Sequence, residues 1–370
     1  MKMAAFKVEE WMNKYEKEAI FDIAGTCVKN FSLKELFSFC GVDGEKFISD
    51  FSQKTLTYVN IQGSDGFKNG VCSLYKTLKP ENVLSTIGAA GANHLVFYSL
   101  IEPGDEVVCL VPTYQQLYSI PESFGANVKL LKLRRENNFL PDLNELDSIV
   151  TPKTKLICLN NPNNPTGALI DDDLMRKIVD IAEKSGAYIL CDEVYRGLER
   201  ENTPNSIVDV YERGISTGSM SKTFSLAGIR MGWAAAADKK VFDSLMSRRE
   251  YNIICCSVFD EAVSALALEN SDKIIARNKN ILAENLQILD NWIQSEKKYS
   301  YIKPKAGTTS LLHYESEICS ADFCDRLSKE TGVFTTPGFC FEMENCFRIG
   351  YGGDKSVLVA ALAKLSEFIS

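Results

Sequence analysis

Between residues 106 and 236, six apolar runs of strand length follow one another, at 106–111, 128–133, 155–159, 187–191, 214–218 and 231–236. Most read as continuous apolar runs, without the polar alternation of a half-exposed strand; Lys129 and Lys132 interrupt the second, Ser216 and Thr217 the fifth. Such runs belong to strands buried on both faces, as in a parallel sheet covered by helices. Amphipathic stretches at 93–100 and 174–184, with apolar residues at helical spacing, supply covering helices. Strands alternating with helices predict an α/β fold with a mainly parallel sheet.

The flanks read differently. A helix is expected at 8–15, an extended piece at 20–24 and a helix at 33–40. Residues 258–295 carry one long, almost uninterrupted helical pattern. Beyond it the pattern is strand 311–314, helix 321–329, strands 333–335 and 346–350, and a closing helix 355–368. This is the signature of a smaller α+β unit. The expected organisation is an N-terminal arm (1–40) belonging to the small domain, a large domain (41–280) and a C-terminal small domain (281–370). A chain of 370 residues has ample length for two domains.

A formal charge of −8 without any basic block disfavours nucleic acid and anionic membranes as partners. No apolar run approaches the roughly 20 residues of a membrane span, and residues 1–17 are mixed and charged, unlike a secretory leader. The twelve cysteines are scattered, many inside strand-like runs (Cys109, Cys158, Cys191), and no C-x-x-C pair occurs. With only His94 and His313 besides, no metal site is expected. Free thiols in a reducing cytoplasm are the expected state.

The chemistry-bearing residues follow the strand runs. Lys222 stands in Ser219-Met220-Ser221-Lys222, after the fifth run, with Arg230 eight residues on. A lysine in a small polar loop is placed to form an imine with an aldehyde, the first step of pyridoxal phosphate (PLP) enzymes; a lone lysine is more often a solvated surface residue. Asn160-Asn161-Pro162-Asn163-Asn164-Pro165-Thr166-Gly167 follows the third run, where open α/β sheets bind ligands. An asparagine amide there can donate to a phenolate oxygen, or the segment is simply a tight loop. Asp192 closes the fourth run, and a buried carboxylate needs a partner. A protonated pyridine nitrogen is such a partner, and Tyr195, three residues on, can reach the ring's 3′ oxygen. Gly88-Ala89-Ala90-Gly91 opens a helix with small residues, which suits an anion or an ordinary helix start. Ser219, Ser221 and Arg230 could add donors to that anion. Tyr114, after the first run, could stack on a flat ring or pack in the core. Arg348 lies inside an apolar strand, where it wants a carboxylate, from a substrate or from a structural ion pair. Arg248 and Arg249 read as surface residues, so no second substrate-clamping arginine is assigned.

In order and spacing, these residues resemble the class I/II aminotransferases, the fold-type I PLP enzymes. The ordered set is Tyr58 with Gly63, the Gly88 loop, Pro103-Gly104-Asp105, Pro112 with Tyr114, Asn161 to Gly167, Asp192, Tyr195, Ser219-x-Ser221-Lys222, Arg230 and Arg348. The resemblance spans nearly the whole chain. It implies that Lys222 is the Schiff-base lysine and proton shuttle, that Asp192 pairs with the pyridine nitrogen, and that Tyr195 and Asn164 bond the 3′ oxygen. It implies Tyr114 against the ring, and the phosphate held by the Ala89 and Ala90 amides with Ser219, Ser221 and Arg230. Arg348 and Asn164 would bind the substrate, Arg348 through its α-carboxylate. Tyr58 would reach the phosphate of the neighbouring subunit in a homodimer. The arm Ile23-Ala24-Gly25-Thr26-Cys27-Val28 is small and polar, as is Gly307-Thr308-Thr309-Ser310. In this the chain resembles the branch containing capreomycidine synthase and related arginine-handling enzymes.

The implied activity is transfer of an amino group from an amino acid to a 2-oxo acid. The same core could run β-elimination, decarboxylation or a capreomycidine-synthase-like cyclisation. A non-catalytic PLP-binding protein is the alternative from another class.

Overall fold

A computed structural model describes residues 3–368. The outermost positions of the expected arm and C-terminal unit, 1–2 and 369–370, lie outside the described residues. The strands among the described residues are β1 (Phe21–Asp22), β2 (Val83–Ile87), β3 (Glu106–Val111), β4 (Asn127–Lys132), β5 (Thr154–Asn160), β6 (Tyr188–Asp192), β7 (Gly214–Ser219), β8 (Met231–Ala236), β9 (Tyr299–Tyr301), β10 (Thr309–Tyr314), β11 (Val333–Phe334), β12 (Thr336–Pro337) and β13 (Cys346–Gly350).

Seven strands form the large sheet in the order β2-β8-β7-β6-β5-β3-β4. The four pairings from β7 through β4 are parallel. Side chains alternate between two cores: Val108, Leu110, Ile157, Leu159 and Ile189 join one cluster, Val107, Cys109, Leu156, Cys158 and Leu190 the other. This double burial is why the strands read as unbroken apolar runs.

β8 departs from the parallel pattern, running antiparallel to both β7 and β2. The cause is the short connection 220–230, which holds only a single 3-10 turn, Ala227–Ile229. A parallel return needs a crossover of about a dozen residues or more, usually a helix. The hairpin-like return has a functional consequence, because it brings Lys222 and Arg230 to the same end of the sheet. β2 escapes sequence reading because Ser85 and Thr86 interrupt its apolar pattern, although both are buried.

The helical pattern at 258–295 is two helices, Val258–Glu269 and Ser271–Ser295, with the break at Asn270. The Asn270 amide donates to the Leu266 carbonyl (3.0 Å), occupying an orphan acceptor at the first helix's end. The second helix links two cores: Ile274 packs in the larger one, while Leu282, Leu286 and Leu289 pack in a smaller one. That smaller core joins Trp11, Tyr15 and Ile23 from the arm to Phe323, Phe347 and Leu362 near the C-terminus. Leu36, further along the arm, packs in the larger core instead. The expected strand at 333–335 is divided: β11 pairs parallel to β1, and β12 pairs with β13.

The surface expectation for Arg249 is overturned. Arg248 is exposed, but Arg249 is 1% exposed. Its guanidinium donates to the Ile61 carbonyl, to the Ile254 carbonyl (2.8 Å) and to Ser85 Oγ (3.2 Å). These oxygens satisfy both terminal nitrogens of the buried guanidinium, while its Nε has no partner among the described residues. It ties the loop after Tyr58 to the sheet.

Candidate active site

The carboxyl ends of β3, β5, β6 and β7 converge on a cavity of about 330 Å³. Ligand sites in open α/β sheets lie at these ends. β6 ends in Asp192, which is 3% exposed. Its Oδ2 accepts from Asn93 Nδ2 (2.8 Å) and its Oδ1 from the Val194 N–H (3.2 Å). Asn93 is oriented in turn by Thr217, whose hydroxyl donates to Asn93 Oδ1 (2.7 Å). Burial pushes the Asp192 carboxyl up to about 6, although these hydrogen bonds pull the other way. Asp192 is thus held in one orientation, poorly solvated, with no cation among the described residues bonded to it.

β5 ends in Asn160, opposite Asp192 in register. Asn160 Nδ2 donates to the Asp192 carbonyl (2.8 Å), and its Oδ1 accepts from the Asn164 N–H (2.7 Å), which sets the following loop. Asn164 Oδ1 accepts from Arg348 Nη1 (3.1 Å), leaving the Asn164 amide NH₂ for another oxygen.

Arg348 comes from β13, crosses into the same cavity and is 3% exposed. Its Nη2 donates to the Ala24 carbonyl (3.0 Å) and to Thr336 Oγ1 (3.1 Å), while its Nε has no partner. None of the ion pairs among the described residues includes it. The structural ion pair considered from sequence is therefore absent there. Burial lowers its pKa from the ordinary arginine value. An anionic ligand is the natural complement of such a group.

After β7 the chain presents Lys222, whose Nζ donates to Thr26 Oγ1 (2.6 Å) and lies 3.4 Å from Cys27 Sγ. Burial lowers the Lys222 pKa, Cys27 and Tyr195 raise it, and the balance is upward. Tyr195, 3% exposed, and Tyr114, after β3, line the cavity as well.

At one end of the cavity, β2 passes directly into the helix Gly88–Leu100. Gly88 has φ +64, and a Cβ there would lie 2.9 Å from Arg230 Nη2. A Cβ on Gly232, in β8, would lie 2.4 Å from the Gly88 carbonyl carbon, so β8 can pass under the helix start only as glycine. Ala89, Ala90, Ser219, Ser221 and Arg230 all line the cavity here. Free helix N–H groups, two hydroxyls and a guanidinium make an anion cup. Arg230 donates from Nη1 to the Ala227 carbonyl (2.9 Å).

Every site residue expected from sequence thus meets in one cavity, except Tyr58. Tyr58 is 73% exposed and does not line the cavity. Asn93 was not singled out from the sequence. Its signal was a polar residue on the buried face of a helix, beside Ala92, Leu95 and Val96. Glu9, Met12, Asn13 and Glu16, from the arm, also line the cavity and were missed.

Comparison with known proteins agrees with this geometry. Residues 45–365 match the family model for aminotransferase class I and II. Capreomycidine synthase of Streptomyces vinaceus is 28% identical over 368 residues, covering 99% of this chain and 94% of that protein. An aspartate aminotransferase of Pyrococcus horikoshii is 30% identical over 322 residues, covering 84% and 82%. The crystal structure of a PLP-dependent aminotransferase from Streptococcus suis 89-1591 superposes with a TM-score of 0.97 at 47% identity, covering 99% of this chain and 98% of that one. This chain belongs to the class I and II aminotransferase family.

Proposed function

We propose that the protein is a PLP-dependent aminotransferase that moves the amino group of an amino acid to a 2-oxo acid. The observation that carries the reading is the buried, hydrogen-bonded Asp192 in the same cavity as Lys222 and the unpaired Arg348. The donor set fits the cofactor: an anion cup at one end, a carboxylate in want of a cation at mid-cavity, and a primary amine beside it.

Bound PLP supplies an electron sink for the charge that develops at the substrate's Cα. Lys222 Nζ would hold the cofactor through its aldehyde and would move a proton at the substrate's Cα. Asp192 keeps the pyridine nitrogen protonated, and Asn93 and the Val194 N–H keep Asp192 aimed. Asn164 and Tyr195 would bind the cofactor's 3′ oxygen, and Tyr114 would lie against its ring. The Ala89 and Ala90 amides, Ser219, Ser221 and Arg230 hold the phosphate. Arg348 binds the substrate carboxylate, and its bond to Asn164 couples substrate and cofactor positions. In a homodimer, Tyr58 reaches the phosphate of the neighbouring site.

The test is a single half-reaction. Incubation with a panel of amino acids should convert bound PLP to pyridoxamine phosphate and release one equivalent of 2-oxo acid. Failure with every amino acid would sink transamination. A second reading keeps the same residues but a different outcome: β-elimination, decarboxylation or cyclisation. It is supported by the near full-length similarity to capreomycidine synthase. Pyruvate with ammonia, CO₂ or a cyclic product, formed without a stoichiometric 2-oxo acid, would favour it. Turnover by either route removes the non-catalytic alternative.

A further inference from the structure

We propose that Thr26 is a positioning residue for Lys222, its hydroxyl holding the lysine amine in place whenever that amine is not bonded to the cofactor. The inference rests on the reading of Lys222 as the cofactor lysine and of Arg348 as the clamp for the α-carboxylate, and deepens it.

Among the described residues the only oxygen partner of Lys222 Nζ is Thr26 Oγ1, at 2.6 Å. Cys27 Sγ lies farther off, at 3.4 Å, and Lys222 joins no ion pair there. Burial works against the charge on this amine, Cys27 and Tyr195 favour it, and Arg348 opposes it. Asp192, in the same cavity, also favours it. Tyr114, Arg230, Glu9 and Glu16 complete the titratable lining. A hydroxyl both accepts and donates, so Thr26 can hold the ammonium and the neutral amine alike. A carboxylate in its place would fix the lysine as a cation and keep it from taking up a proton.

The arm segment that carries Thr26 is fixed from both sides. The Gly350 N–H donates to the Ile23 carbonyl (2.7 Å) and the Lys29 N–H to the Gly352 carbonyl (2.8 Å). The Thr308 hydroxyl donates to the carbonyl of Thr26 itself (2.8 Å). On the other side, the Phe31 N–H donates to the Ser225 carbonyl (3.1 Å), three residues beyond Lys222. Arg348 Nη2 donates to the Ala24 carbonyl (3.0 Å), two residues before Thr26. One short, anchored segment therefore sets the separation between the α-carboxylate clamp and the docked amine. A substrate whose carboxylate lies on Arg348 has its Cα at a position that Thr26 fixes relative to Nζ. Proton transfer needs that placement, because small misplacements of a reacting group are costly in rate.

The experiment has two readouts on the full chain. In the first, the cofactor-free protein is labelled with acetic anhydride over a series of pH values. Acetylation of Lys222 is read by mass spectrometry against that of the exposed Lys34. Thr26→Val removes the hydroxyl at nearly constant shape. The bond to the charged amine is the stronger one, so its loss should lower the Lys222 midpoint by about one pH unit. The Lys34 midpoint should stay in place, and Thr26→Ser should keep the Lys222 midpoint at its wild-type value. In the second, the PLP-loaded Thr26→Val protein should lose about tenfold in kcat with KM for the amino acid unchanged, and Thr26→Ser should recover the loss. A Lys222 midpoint unmoved in Thr26→Val, or moved equally in Thr26→Ser, overturns the inference. A loss confined to KM also overturns it, because Thr26 would then serve the substrate and not the lysine. If the midpoint moves as stated but no amino acid converts PLP to pyridoxamine phosphate, transamination falls and the Thr26 dock stands. If conversion proceeds while the midpoint ignores Thr26, the dock falls and transamination stands.

Discussion

Replacing Asp192 by Asn should make the cofactor-free protein more stable while spoiling its site. Asp192 is 3% exposed, and burial raises its carboxyl from the usual 3.8 to about 6. That difference corresponds to about 3 kcal/mol of preference for the unfolded chain once both states are ionised. The sign follows from linkage. The unfolded carboxyl is the stronger acid, so the penalty on folding is absent below 3.8, grows as pH rises through the interval, and is complete above about 6. Asn keeps an oxygen for Asn93 or the Val194 N–H and carries no charge. Asp192→Asn should therefore raise stability at about pH 7.5 by up to about 3 kcal/mol, and by about half as much at about pH 5. A midpoint shift of several degrees is the expected readout for the cofactor-free proteins. The same variant should bind PLP more weakly, because the pyridine nitrogen loses its counter-charge. An Asp192→Asn protein no more stable than wild type at neutral pH, or one whose gain does not shrink on acidification, would show that the buried Asp192 charge carries no such cost.

Three further outcomes are expected. Arg348→Gln should raise KM for the amino acid about 100-fold while the absorbance of lysine-bound PLP persists, since one partner of a buried charge pair is removed; an unchanged KM would remove Arg348 from the substrate site. Arg249→Met leaves the buried Glu261 facing Ser64 and Ser85 without its cation, and should cost about 3 kcal/mol or more in denaturant titration, with partial recovery in R249M/E261Q. Asn93→Ala strips Asp192 Oδ2 and the Thr217 hydroxyl of their partner, and should weaken PLP binding about tenfold by equilibrium titration.

What was legible in the sequence, and what was not, follows from the physics of each element. The runs 106–111 and 231–236 coincide with β3 and β8 because both faces of those strands are buried; the polar end residue Glu106 is itself buried and paired with Lys129. β2 was illegible because Ser85 and Thr86 are polar residues satisfied inside the protein, by Arg249, Glu261 and the Gly88 carbonyl. The break at Asn270 was illegible because apolar spacing continues across it, and only a side-chain bond to Leu266 marks the end. Lys222, Asp192, Asn164, Tyr195 and Arg230 were legible because each stands at or just beyond a strand end. Asn93, Arg249, Glu9 and Glu16 were not, because their neighbours in space are far away in sequence. Arg249 reaches Ile61 across 188 residues, and Glu9 meets Tyr114 across 105.

Lys222 is proposed as the residue that holds the cofactor. Borohydride reduction of the PLP-loaded protein, followed by peptide mapping in a mass spectrometer, tests it directly. One pyridoxyl group per chain is expected, on the peptide carrying Ser219-Met220-Ser221-Lys222, and none in the Lys222→Ala protein. Label on another lysine, or a Lys222→Ala protein that keeps both its activity and the absorbance of lysine-bound PLP, would contradict it.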